Sequence, residues 1–233
     1  AVKSKSTGEV WTDRKGLSWV DAGSERVWEY ITRVAIDSHK QGFDEINFDY
    51  VRFPTDGNMS DMVFPYSEGK DKNDVLEDFF IYLNQKMTEA EITSSADVFG
   101  MVAVANDGIG IGQVLEKITP HVDYVAPMVY PSHFAHNFKG LGDPNEDPYG
   151  VIYHSMKDAY DKLLEAQALE TSEEGKAKFD TDKLRPWLQD FDYGGDYDAA
   201  DVRAQIQATY DVGLDSWMLW DPSNKYTRGA LLE

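Results

Sequence analysis

Amphipathic helices and short strands take turns along this chain, and that alternation limits its fold more than any other feature. Residues 24–41 read as a helix: Ser24 stands at the N-cap, Val27, Ile31, Val34 and Ala35 recur on one face, and Gly42 follows as a stop. Glu45-Ile46-Asn47-Phe48-Asp49-Tyr50 then alternates polar with apolar, as a strand does. A second helix is expected over 73–90, opened by Asn73, with Leu76, Phe79, Phe80, Leu83 and Met87 inward. Val98 to Ala105 is an apolar run of the buried parallel-strand type. A helix near 111–119, a strand from Tyr124 to Val129 and a long helix over 149–169 follow. Residues 170–182 are polar and read as a surface loop or helix extension. Leu184 to Gln189 is the next strand. Asp198 caps a helix to Val212, with Asp201 in the capping-box position and Gly213 as the stop. Ser216 to Trp220 closes the series. Such alternation requires right-handed βαβ units and a parallel sheet.

Five strands are visible, and the first 23 residues show none. A complete (β/α)8 barrel has eight. The fold class is therefore α/β: either a partial TIM-type (β/α)8 barrel of about five parallel strands, or an open five-stranded sheet. With 233 residues, the chain is long enough for one domain with a full core, so residues 1–233 are expected to be a single barrel domain.

The same parallel geometry says where chemistry belongs: beyond the carboxyl ends of the strands. Those ends carry Asp49 to Pro54, Asn106-Asp107-Gly108, Met128 to His133, Trp187 to Phe191, and Leu219-Trp220-Asp221. Asp49 is the sharpest of these features. Strand parity sets Glu45, Asn47 and Asp49 on one face and Ile46, Phe48 and Tyr50 on the other. A carboxylate at the top of an interior face is costly unless paired or used. Arg52 is its expected partner, and a purely structural Asp–Arg pair is the plain alternative.

Glycoside hydrolysis is one chemistry open to a rim of carboxylates, and it usually needs two carboxyl groups, about 5–5.5 Å apart in retaining enzymes and about 6.5–9.5 Å in inverting ones. Asp107 and Asp190 are equal candidates, with Asp221 behind them; Asp107 and Asp221 also suit turns. Arg52, Tyr130, His133, Trp187, Gln189 and Trp220 are candidates for holding a sugar, although a lone His or Trp is more often structural. Trp11 and Trp19 sit in a polar segment, where packing and a sugar subsite are the two readings.

Composition removes several classes. Net charge is −20, which disfavours nucleic acid as a partner. There is no cysteine, hence no disulfide and no thiolate metal site. No run approaches the roughly 20 apolar residues of a membrane span. Gly108-Ile109-Gly110-Ile111-Gly112 lacks dinucleotide-loop spacing, and no spacing calls for a metal or cofactor. The opening Ala1–Gly8 is polar with no signal-peptide pattern, and the closing Leu232-Glu233 reads as vector-derived.

Gly42-Phe43-Asp44-Glu45-Ile46-Asn47-Phe48-Asp49-Tyr50-Val51-Arg52-Phe53-Pro54 resembles the signature strand of a bacterial glycoside-hydrolase domain family of TIM-barrel proteins, often exported. Trp11 to Asp21, Ala126 to His133, Arg185 to Phe191 and Trp217 to Trp220 resemble it too, in order along nearly the whole chain. The resemblance implies a polysaccharide or oligosaccharide substrate, an extracellular or cell-envelope setting, and first strands supplied by earlier sequence. Those absent strands would leave an open edge, which a homodimer could cover.

A weaker likeness joins the strand to the chitinase family, whose fourth strand runs Asp-Gly-x-Asp-x-Asp-x-Glu and whose sixth carries Met-x-Tyr. The register that keeps Tyr50 sets Asp49 in place of the catalytic Glu and Asn47 in place of the assisting Asp; Met128 and Tyr130 then fall on the sixth strand. A nucleophilic Asp49, as in α-glucanase-like barrels, is the other role the resemblance allows. Three functions follow as expectations: a glycoside hydrolase, a non-catalytic carbohydrate-binding barrel, or a metal-dependent carbohydrate deacetylase.

Overall fold

A computed structural model describes residues 1–231, so Leu232 and Glu233, with their expected vector origin, lie outside the described residues. The elements in chain order are β1 (Lys3–Ser4), α1 (Glu25–Lys40), β2 (Glu45–Phe48), β3 (Met62–Val63), α2 (Lys72–Glu89), β4 (Thr93–Phe99), α3 (Leu115–Ile118), β5 (Tyr124–Met128), α4 (Pro148–Leu169), α5 (Glu173–Ala177), β6 (Trp187–Gln189), α6 (Ala199–Val212) and β7 (Met218–Trp220). The fold is α/β of the TIM-barrel type, with five parallel strands alternating with helices. The chain forms two compact units, residues 1–96 with 106–123 and residues 97–105 with 124–233.

In the first unit β2 runs parallel to the start of β4, Glu45 beside Thr93 and Phe48 beside Ala96. Helix α2 buries Val75, Leu76, Phe79, Phe80, Leu83 and Met87, the spacing of one helical face. Its cap is Asp71, not Asn73: the Asp71 carboxylate accepts the backbone N–H groups of Asn73 and Asp74, so the helix starts one residue earlier than expected. Phe53 packs edge-on against Phe64 at 5.2 Å, and both join Val75 and Leu76 in a core. In α1 the Ser24 side chain makes no capping bond, and only Thr32 and Ala35 are buried. Val34 of the expected stripe is exposed, so that face is only partly covered. Lys3–Ser4 pairs antiparallel with Met62–Val63, a strand that the sequence reading did not find. Two residues show no alternation to read. The ribbon is held instead by Asp61, whose carboxylate accepts from the Ser4 hydroxyl at 2.6 Å and the Ser6 N–H at 2.8 Å.

The largest correction is β4. It runs from Thr93 to Phe99, where the apolar run predicted Val98 to Ala105. Its early residues are polar but satisfied inside the sheet. The Ser94 N–H donates to Asp123 at 2.8 Å, and the Ser95 hydroxyl lies 2.5 Å from Glu45 Oε1 and 2.9 Å from Asn47 Oδ1. Buried polar groups with partners cost little, so polarity did not mark the strand's limits. Beyond Phe99 the chain becomes a 3-10 turn over Gly100–Ala103. A Cβ on Gly100 would lie 2.5 Å from the Met128 carbonyl, so a side chain has no room there.

In the second unit the last residues of β4 precede β5, β6 and β7 in spatial order. Helix α4 packs on α6, burying Val151, Ile152, Met156, Ala159, Leu163, Val202 and Ile206. The α6 capping box of Asp198 and Asp201 is present, and Gly213 takes the left-handed stop at φ 104°. Residues 170–182 hold a short separate helix, α5, opened by the Ser172 hydroxyl accepting the Gly175 N–H. No described helix is long and apolar enough to cross a membrane.

Candidate functional site

The first unit carries Asp49. Pairing of β2 stops at Phe48, one residue before it. Tyr50 then adopts a left-handed backbone, φ 57°, which is uncommon for a bulky residue. The Tyr50 N–H donates to Asp49 Oδ1 at 2.6 Å, so the turn itself fixes the carboxylate. The strand therefore does not continue to Tyr50 as expected; that ring is exposed rather than packed on a helix. Parity does hold lower down, where Glu45 and Asn47 share the Ser95 hydroxyl and Phe48 is buried.

Arg52 does not simply pair with Asp49. Its guanidinium lies 4.7 Å from the Trp19 ring and 5.6 Å from the Tyr50 ring, and donates to the Phe53 carbonyl at 3.1 Å. These are cation–π distances. Trp19 is tied in turn to Asp13 through its indole N–H at 3.1 Å. Trp11, by contrast, is buried packing, with its N–H on the Asn58 carbonyl. Asp49 lines a groove of about 420 Å³ with Trp19, Trp28, Ile31, Phe48 and Arg52. Loss of water there raises the Asp49 carboxyl above its ordinary pKa, against the opposing pull of the Tyr50 N–H and the Arg52 charge.

Asp107 lies in the same unit but not at a strand end. It is exposed, and its carboxylate accepts the Ile109 N–H at 2.9 Å. The Gly-rich loop is a packing device. A Cβ on Gly108 would meet Asn73 Oδ1 at 2.2 Å, and one on Gly112 would meet the Lys72 carbonyl at 2.8 Å.

The second unit gathers the other candidates. Gln189 is wholly buried and central. Its Oε1 accepts from the Ser132 hydroxyl at 2.8 Å, and its amide donates to the Phe191 carbonyl at 3.0 Å. Its backbone N–H and carbonyl are both bonded by Gln205. This network places an aromatic group: Tyr130 lies 5.5 Å from both His133 and Phe191, and His133 lies 5.9 Å from Tyr193. Desolvation lowers the His133 pKa, favouring the neutral imidazole. Trp187 and Trp220 meet edge-to-face at 5.9 Å and 82°.

Two carboxylates here serve the backbone. Asp190 is buried, and its Oδ2 accepts the Thr227 N–H at 2.8 Å, while Oδ1 has no hydrogen-bond partner among the described residues. Asp221 accepts the N–H groups of Ser223 and Lys225, the turn role weighed for it. Sequence reasoning missed Asp97, which is buried and whose Oδ1 accepts the Trp187 indole N–H at 2.7 Å. The misplaced strand hid it. In the observed register Ser95, Asp97 and Phe99 alternate on one face of β4, a pattern that the apolar run concealed.

Among solved structures, the chain is similar to a Group IV chitinase from Ostrinia furnacalis, at 12% identity and TM-score 0.59, covering 91% of this chain and 72% of that one. It is similar to the PgaB (BpsB) glycoside hydrolase domain from Bordetella bronchiseptica, at 15% identity and TM-score 0.55, covering 91% and 64%. The spore cortex-lytic enzyme SleL from Bacillus megaterium matches at 10% identity and TM-score 0.55, covering 91% and 53%. The chain thus spans between half and two-thirds of the length of SleL and PgaB. At these identities the likeness is one of fold. No curated protein matches the sequence. A family profile matches residues 1–226, nearly the whole chain: this protein belongs to the family described as "Putative glycosyl hydrolase domain".

Proposed function

We propose that this chain carries the catalytic residues of a glycoside hydrolase acting on a polysaccharide or oligosaccharide, with Asp49 as its general acid. One observation carries the reading: Asp49 is held by its own turn, faces a groove, and has its pKa raised by lost hydration. A raised carboxyl pKa is the direction of shift that protonation of a glycosidic oxygen calls for. Arg52, fixed over Trp19, balances the charge that develops on Asp49 as it gives up its proton.

A second carboxyl group activates water or attacks the anomeric carbon. Asp107 and Asp190 remain the proposed candidates. Arg52, Tyr130, His133, Trp187, Gln189 and Trp220 would bind sugar. We place the activity outside the cell or in the cell envelope of a bacterium, in keeping with neighbours named as a chitinase and a spore cortex-lytic enzyme.

The test is reducing-end release from chitin, peptidoglycan and α-glucan by wild type and D49N. Loss of about 10²–10⁴-fold in turnover, with binding retained, is expected for a general acid. Unchanged turnover would remove Asp49 from the chemistry. A second reading is a carbohydrate-binding barrel without catalysis; it is favoured by the use of the Asp107 carboxylate to cap the Ile109 N–H. It predicts saccharide binding by calorimetry and no product on prolonged incubation.

A further inference from the structure

Ser132 links two candidate binding residues, Gln189 and His133, and its hydroxyl has one proton to give. Gln189 is wholly buried, and its amide group donates to the carbonyls of Phe191 at 3.0 Å and Tyr193 at 3.4 Å. Its Oε1 therefore faces the other way, where it accepts the Ser132 N–H at 3.2 Å and the Ser132 hydroxyl at 2.8 Å. Turning the carboxamide over would set its oxygen against two carbonyls and its NH2 against a backbone N–H. With its one proton on Gln189, the Ser132 oxygen is left to accept. It lies 3.0 Å from His133 Nδ1, so that nitrogen donates to it. The proton of the neutral imidazole is thus on Nδ1, and Nε2 carries a lone pair.

His133 is placed to use that lone pair. Pro131 opens a 3-10 turn over Pro131–His133, and the His133 N–H donates to the Tyr130 carbonyl at 2.9 Å. The rings of Tyr130, Phe191 and Tyr193 stand 5.5, 6.3 and 5.9 Å from the imidazole. Loss of water lowers the His133 pKa and keeps the ring neutral, yet His133 and Tyr193 remain exposed. Nε2 has no hydrogen-bond partner among the described residues. An accessible lone pair beside aromatic rings suits a ligand that brings a donor, and it offers nothing to a carboxylate or phosphate.

We propose that Ser132 and Gln189 are positioning residues that hold His133 with Nε2 as an acceptor, and that Nε2 accepts a hydrogen bond from a saccharide hydroxyl. The ligand rests on the glycoside-hydrolase reading; the tautomer does not. Gln189, with its side-chain oxygen and nitrogen both committed inward, contributes through Ser132 and His133 without touching the sugar.

The tautomer is read from the imidazole nitrogen NMR shifts of His133 at about pH 8, where the ring is neutral. Spectra are recorded on wild type, S132A and S132T, with the His133 signals assigned by their loss in H133Q. Wild type should show a protonated Nδ1 and a bare Nε2. S132A removes the acceptor of Nδ1–H and should move the proton towards Nε2, whereas S132T keeps a hydroxyl and should restore the wild-type pattern. Should S132A not fold, S132G, which also lacks the hydroxyl, takes its place. Binding of chitohexaose, cellohexaose and maltohexaose is then measured by calorimetry on these proteins and on H133N. S132A should weaken binding about tenfold, as for one lost hydrogen bond, and S132T should stay within about threefold of wild type. H133Q carries an amide oxygen within reach of the Nε2 position and should also stay within about threefold. H133N reaches only the Nδ1 position and should lose about tenfold. A wild-type proton on Nε2, or an unchanged pattern in S132A, overturns the positioning roles. Wild-type affinity in H133N overturns the hydroxyl contact. A wild type with the stated tautomer that binds none of the three hexasaccharides overturns the saccharide ligand and the carbohydrate reading together, while upholding the tautomer.

Discussion

Asp49 and Asp97 both stand near the ends of parallel strands, yet they are held in opposite ways. Asp49 stands at a groove that removes part of its water while leaving it open to solvent, is oriented by the N–H of the next residue, and is biased by a cation three positions along the chain. Asp97 is buried, and its Oδ1 accepts from an indole 90 residues away. The first arrangement is local: a strand end, a left-handed turn and an Arg suffice to make it. The second exists only when β4 and β6 are in place. Chemistry built from neighbours in sequence tolerates mutation elsewhere, whereas chemistry built from tertiary contacts fails with the fold.

The predictions press on that difference. The largest stability effect is expected at Asp21, which is fully buried and accepts the N–H groups of Gly23, Tyr66 and Ser67 and the Ser67 hydroxyl. D21A strands those donors and should cost about 3–5 kcal/mol in denaturant unfolding, several buried donors losing their acceptor at once. Gln189 comes next. Q189L removes the acceptor of Ser132 and the donor to Phe191, and should cost about 2–3 kcal/mol while loosening the Tyr130–His133–Phe191 group. Near-ultraviolet circular dichroism would report the loosened rings. D107N should change turnover by less than about threefold, because Asn caps the Ile109 N–H as Asp does. A larger loss would return Asp107 to the chemistry.

The smallest effect concerns pH. The folded state raises the Asp49 pKa, so it binds that proton more tightly than the unfolded chain. Stability from this group is then greatest at low pH and falls as pH rises through the interval between the unfolded and folded values. D49N should flatten that fall and slightly raise the melting temperature at neutral pH. The same shift predicts that activity declines on the alkaline side as Asp49 loses its proton, which a pH–rate profile would show.

What could be read in advance follows the same division. Helices α2, α4 and α6 were legible because their apolar residues recur at helical spacing and Asp198, Asp201 and Gly213 mark the ends. Strand β2 was legible through alternation, and Asp49 with it. Strand β4 was not, because Ser94, Ser95 and Asp97 are polar residues whose partners, Asp123, Glu45, Asn47 and Trp187, lie far along the chain or on another strand. Asp97 was lost for that reason, and Asp107 was taken for a strand end when it caps a turn. The Asp49–Arg52 pairing was half right: Arg52 is near enough to act on the carboxyl, but its plane rests on Trp19, 33 residues earlier.

Asp49 as proposed does chemistry and is not merely a tethered turn residue. Parallel time courses of reducing-end release by wild type and D49N, with saccharide binding measured on the same preparations, test it most directly. Hydrolysis by wild type and intact binding without turnover in D49N are expected. Equal product from both proteins would contradict it.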